Sequence, residues 1–139
     1  MTRPGTSFAS VGVLDSLREV LHFFPDVRLA VLFGSMAQGG ARADSDLDLA
    51  VDAGQALTAA QRLRLTQALA EKTGRAVDLI DLTDVGMPLL GQIVQHGVRV
   101  VGDASDFGRL MSRSLIEQAD FMPLRQRILG ERRMAWIGR

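Results

Sequence analysis

The chain has 139 residues, 47% hydrophobic and 23% charged, with no cysteine and with 16 basic side chains against 16 acidic ones. That length supports one domain with a substantial core; the composition excludes disulfides and zinc–thiolate sites, and zero net charge argues against a general nucleic-acid binder. No apolar run approaches the roughly 20 residues that span a bilayer and the N-terminus lacks the apolar core of a signal peptide, so a cytoplasmic protein is expected, with neither a membrane nor direct nucleic acid as a partner.

Residues 11–24 place Leu14, Leu17, Leu21 and Phe24 on one helical face, and Pro25 stops that helix. Residues 27–33 form an almost continuous apolar run, the pattern of a strand buried on both faces. A Gly34-Ser35 turn follows, and a second strand is expected from Asp46 to Val51 or Asp52. Thr58 is placed to cap a helix carrying Leu63, Leu65 and Leu69, which ends at Lys72 with Gly74 in the C′ position. A third strand is expected over residues 75–82, a short helix from Pro88 to His96-Gly97, and a fourth strand over residues 98–101. From Ser105 the pattern is helical again, with a break expected at Phe121 and Pro123 before an arginine-rich end. No internal repeat or low-complexity linker interrupts this order.

The chemistry concentrates between the first two strands. Asp46 and Asp48 are two residues apart, so in a strand both point to one face while Leu47, Leu49 and Val51 point to the other. Aspartate is a poor strand former and like charges on one face repel, an objection that a bound cation removes. Gly34-Ser35 after the first strand leaves backbone N–H groups at a turn or helix start, suited to phosphate, with the serine hydroxyl as a further donor. Asp78 is a third carboxylate inside an apolar run and converges on the pair if its strand lies beside the second. Asp81 is on the opposite face by parity and lies where the strand gives way, so Asp78 is the one chosen. Taken alone, Gly34-Ser35 is a plain turn, and an exposed edge-strand residue is the lesser alternative reading of Asp78.

Rival motifs fail. A P-loop needs Lys and then Ser or Thr where Gly40 and Ala41 stand, and the dinucleotide fingerprint needs glycine where Met36 stands. Residues 44–55 open like an EF-hand, but Leu49 holds the glycine position and Gln55 the glutamate position. Arg42 and Ser45 read as loop residues, and His96 as a helix C-terminal residue facing the dipole.

Gly34-Ser35, ten residues, Asp46-Leu47-Asp48, and later Asp78 within Val-Asp-Leu-Ile-Asp-Leu resemble the polymerase-β-type nucleotidyltransferase superfamily, and within it the minimal nucleotidyltransferase (MNT) proteins. The resemblance covers roughly residues 10–101. It implies an α+β fold: a small mixed or antiparallel sheet flanked by helices, as a nucleotidyltransferase domain over residues 1–104 with a C-terminal helical extension over residues 105–139. It also implies two Mg²⁺ ions, held by Asp46 and Asp48 between them and by Asp78 on the nucleophile side, with Gly34 and Ser35 on the β- and γ-phosphates of ATP. Proteins of this kind serve as antitoxins that attach AMP to a tyrosine hydroxyl of a HEPN-domain ribonuclease toxin, which makes a hetero-oligomer the expected assembly. A stand-alone transferase acting on a small molecule such as an antibiotic, and a non-catalytic antitoxin that works by binding, remain as alternatives. The C-terminal segment with Ile128, Met134, Trp136 and Ile137 serves either as a docking surface or as packing on its own domain.

Overall fold

Helix and strand alternate along the chain as α1 (Val11–Leu21), β1 (Leu29–Phe33), α2 (Ser35–Gln38), β2 (Leu47–Asp52), α3 (Ala59–Thr73), β3 (Val77–Asp81), α4 (Leu89–His96), β4 (Val98–Val101) and α5 (Ala104–Trp136). This computed structural model describes residues 11–39 and 45–136, with side chains over 12–39 and 45–120. Arg42 and the apolar residues of the C-terminal segment lie outside the described side chains, so their expected roles have no structural counterpart here.

The four strands form one mixed sheet in the order β3-β2-β1-β4. β1 runs antiparallel to β2 and β4, while β2 and β3 are parallel. This is the α+β arrangement expected from the sequence. β1 is buried at every position, as its apolarity requires, because helices cover both faces. Ala30, Leu32, Leu47, Leu49, Val51 and Leu79 join α1 and α3 in one core, centred on Leu17, Leu65 and Leu69. Leu29, Val31, Phe33 and Ala50 join α4 and α5 in the other, through Leu90, Ile93 and Leu110. The period-2 alternation of β2 therefore sends its leucines to the α1/α3 side and Asp48 with Ala50 to the α4/α5 side.

The caps follow the residues. Thr58 accepts from the Gln61 N–H (3.1 Å) and Gln61 returns a bond to the Thr58 N–H (2.9 Å), a complete capping box. Gly74 closes the same helix in the left-handed conformation, its N–H bonding to Ala70 O.

Several expected boundaries move. α1 ends at Leu21, because residues 22–24 tighten into i→i+3 bonds from Phe23 N to Val20 O and from Phe24 N to Leu21 O. β1 and β3 are shorter at both ends or at one end than their apolar runs, starting at Leu29 and Val77. α5 is a continuous helix of 33 residues, not two segments broken at Phe121 and Pro123. Proline lacks one N–H and so removes a single bond of the ladder; the turns on either side keep theirs, and the helix continues through it.

Candidate active site

The ends of β1, β2 and β3 meet at one edge of the sheet. Parallel register sets Asp48 directly beside Asp78, and antiparallel register sets Phe33 on the other side of Asp48. Phe33, Asp48 and Asp78 thus form a row across the face that α4 and α5 cover further along. Asp46 is not in the strand, contrary to expectation: β2 begins at Leu47, and Asp46 is an exposed residue just before it.

Burial pushes the Asp48 carboxyl above the usual carboxylate range, and the charges of Asp78 and then Asp46 push it further, with a hydrogen bond to Asp78 in the same direction. The other two expected aspartates thus both act on Asp48. Asp81, set aside because it lies where the strand gives way, is buried at 5% exposure. Its Oδ2 accepts from Leu57 N (2.8 Å), and its Oδ1 accepts from Thr83 N (3.0 Å) and Thr83 Oγ1 (2.7 Å). Those are structural bonds on the far end of β3.

Gly34 lies against this row. Its φ of 72° and ψ of −156° belong to a region that is essentially glycine-only, and a Cβ there would collide with Asp48 Oδ2. The Gly34 carbonyl accepts from Ala37 N and Gln38 N, so the chain turns straight from β1 into α2. The first N–H groups of a helical turn have no partner within it, and the turn starts at the glycine that lies against Asp48. Gly34→Ala is expected to cost about 2 kcal/mol of stability from backbone strain and the collision. Urea denaturation measures this, and an alanine variant as stable as the wild type would show that Asp48 moves aside freely.

The donor set suits magnesium, which takes hard oxygen ligands and commonly binds through one or two carboxylates, substrate phosphates and several waters. Among the described residues no three carboxylate or imidazole side chains are already grouped to hold a metal ion. Asp48 and Asp78 with Asp46 at the rim form an acidic mouth that a cation and a triphosphate would complete together.

Sequence reasoning missed the arginines that bond backbone carbonyls of distant segments, one of them next to this mouth. Arg75, just before β3, donates from Nη1 to Ser45 O (3.0 Å), and Leu47 N bonds to Ala76 O (2.8 Å). Arg62 donates to Leu79 O (2.7 Å), Arg18 to Val100 O (3.0 Å), and Arg113 to both Leu82 O and Val85 O. Lys72 is the sole lysine of the sequence, and these arginines each offer a forked guanidinium that can hold backbone carbonyls. The only advance signal was the arginine preference itself, which does not name the partners.

A Gly-Ser turn facing the acidic starts of two parallel strands on a mixed sheet defines a nucleotidyl-transfer type of domain. The family comparison agrees, since the model described as "Polymerase beta, Nucleotidyltransferase" matches residues 15–106, and the chain belongs to that family. Among its relatives is the protein adenylyltransferase MntA of Shewanella oneidensis, 38% identical over 82 residues, a stretch covering 59% of each chain. The matched stretch thus spans less than two thirds of that relative's length. A toxin–antitoxin crystal structure with AMP-PNP superposes with a TM-score of 0.75 at 29% identity, covering 85% of this chain and 96% of the other. A complex of tri-AMPylated HEPN toxin with MNT antitoxin from Shewanella oneidensis superposes with a TM-score of 0.70 at 27% identity, covering 86% and 94%.

Proposed function

We propose that this chain is an antitoxin nucleotidyltransferase that transfers AMP from ATP to a hydroxyl, that of a tyrosine, on a partner HEPN-domain ribonuclease toxin, and so silences it. The observation that carries the reading is the register of Asp48 beside Asp78 against the Gly34 turn. The names of the similar proteins support the acceptor and the partner: one is a protein adenylyltransferase, and another is an MNT antitoxin seen with an AMPylated HEPN toxin.

In this reading Gly34 and Ser35 bind the β- and γ-phosphates through backbone N–H groups and the serine hydroxyl. Asp46, Asp48 and Asp78 hold two Mg²⁺ ions, with Asp78 on the side of the attacking hydroxyl. Bound there, magnesium neutralises the triphosphate and lowers the pKa of the incoming hydroxyl. Asp78 accepts the hydroxyl proton, the hydroxyl oxygen bonds to the α-phosphorus, and the bond from that phosphorus to the bridging oxygen breaks to release pyrophosphate. Gly34 lets the backbone of the turn pass against Asp48 where a side chain would displace that carboxylate.

A small-molecule transferase needs a concave acceptor pocket from the region after Gly102. One groove there is lined by α5 alone, among its residues Ser105, Gly108, Ser112 and Ile116, and a second lies between α5 and the sheet at Leu29, Asp52, Asp106 and Arg113. α5 also exposes Met111, Leu115 and Ile116, which suits docking to a protein. A non-catalytic binder would have no use for three repelling aspartates.

Intact-mass spectrometry of a HEPN toxin after incubation with this chain, ATP and Mg²⁺ tests the reading. The expected result is a mass gain in whole AMP units that disappears with Asp46→Asn. A tight complex with no gain would establish the binding antitoxin in its place.

A further inference from the structure

Asp46 is the weak point of the acidic mouth. It is exposed, lies outside β2, and its charge is near enough to Asp48 to act on it. No strand ladder holds its position. Yet the residues on either side of it are both tied to the start of β3: Leu47 N bonds to Ala76 O (2.8 Å), and Ser45 O accepts from Arg75 Nη1 (3.0 Å). One tie is an ordinary backbone bond. The other is a side chain reaching 30 positions along the sequence.

Arg75 lies in the bend between Gly74 and β3, and its guanidinium donates to the Ser45 carbonyl just ahead of Asp46. It is half-buried, so the bond is partly shielded from water, and a charged donor to a carbonyl is among the stronger hydrogen bonds.

Resting on the metal site proposed above, we infer that Arg75 is a positioning residue: it clamps the backbone at Ser45 so that Asp46 stays over the Asp48–Asp78 pair as a third cation ligand. Without the clamp, repulsion swings Asp46 outward and leaves two carboxylates. Lysine at this position offers a point charge on a flexible stem and restores the clamp only in part.

The test measures Mn²⁺ binding by calorimetry in the presence of AMP-PNP for the wild type, Arg75→Met, Arg75→Lys, Asp46→Asn and the double variant Arg75→Met/Asp46→Asn, with thermal unfolding of each in the absence of metal. Arg75→Met is expected to weaken Mn²⁺ binding by roughly tenfold or more, as partners that orient a ligand commonly do. Arg75→Lys is expected to fall between, and the double variant to bind no worse than Asp46→Asn alone, since both changes remove the same ligand. Unchanged Mn²⁺ binding in Arg75→Met, or losses that add in the double variant, would overturn the inference while leaving the site intact. If Asp46→Asn itself binds Mn²⁺ like the wild type, the metal-site reading fails first. Should Arg75→Met not fold, Arg75→Lys alone and combined with Asp46→Asn decides on the same criterion.

Discussion

Asp48→Asn is expected to abolish nucleotidyl transfer and, measured without divalent cations, to make the protein more stable. Both effects come from the same carboxylate. Asp48 is half-buried beside Asp78, and burial together with the Asp78 and Asp46 charges raises its pKa, so its ionised form is held at a cost in the folded state. An amide of the same shape removes that cost and can still bond to Asp78. A gain of roughly 1 kcal/mol, or about 4 °C in Tm for a domain of this length, is the scale of relieved functional strain. Transfer should fall by at least about 10³-fold, the scale on which single groups that stabilise transition-state charge are lost. Two further readouts separate this from a general defect. Magnesium with AMP-PNP should raise the Tm of the wild type and not that of the variant, and the variant should still form whatever complex with the HEPN toxin the wild type forms. A variant that is less stable than the wild type without metal would mean that Asp48 serves the fold, and persistent transfer would remove it from the site.

What the sequence made legible was local or periodic. The alternation of Leu47, Asp48, Leu49, Ala50 and Val51 determines which face each side chain takes, and the structure sends the leucines and Asp48 to opposite cores as that alternation requires. Thr58, Gln61 and Gly74 act within one turn of their own helix, and they cap it as their types dictate. Parity allowed only one of Asp78 and Asp81 to join the cluster, and Asp78 was preferred for its place inside the strand; register puts Asp78 beside Asp48 while Asp81 turns into the fold. The bonds that the sequence concealed are those between distant segments. Arg18 reaches 82 positions to Val100, Arg113 reaches 31 to Leu82, and Arg75 reaches 30 to Ser45. No periodicity encodes which carbonyl a guanidinium will find, because sheet order and helix placement decide it. Pro123 failed as a predictor for a related reason: a proline disfavours helix locally, and what surrounds it along a helix of 33 residues decides whether that penalty ends it.

Asp81 carries the second large effect, on stability and not on transfer. Its two oxygens take three donors, with Leu57 N on Oδ2 and both the N–H and the hydroxyl of Thr83 on Oδ1. These bonds tie the entry to α3 and the exit of β3 to one buried carboxylate. Asp81→Asn keeps the shape but must turn an NH₂ group toward either Leu57 N or the Thr83 pair, leaving buried donors facing each other. A loss of about 2–3 kcal/mol is expected, the cost of leaving buried donors without acceptors. The pH dependence has a definite sign. Burial alone would raise the Asp81 carboxyl, but the bonds from Leu57 and Thr83, with the nearby charge of Arg62, outweigh it and hold it below the usual carboxylate range. A carboxyl depressed in the folded state contributes its full stability above the unfolded value, near pH 3.9, and loses it as pH falls through the lower folded value. The stability gap between wild type and Asp81→Asn should therefore be widest and flat from about pH 6 to 7 and begin to close below about pH 4. Urea denaturation of both proteins across that range measures it. A gap that widens on acidification would show that Asp81 is held protonated in the fold, and a gap of zero at neutral pH would show that the Leu57 and Thr83 donors find water when the carboxylate is gone.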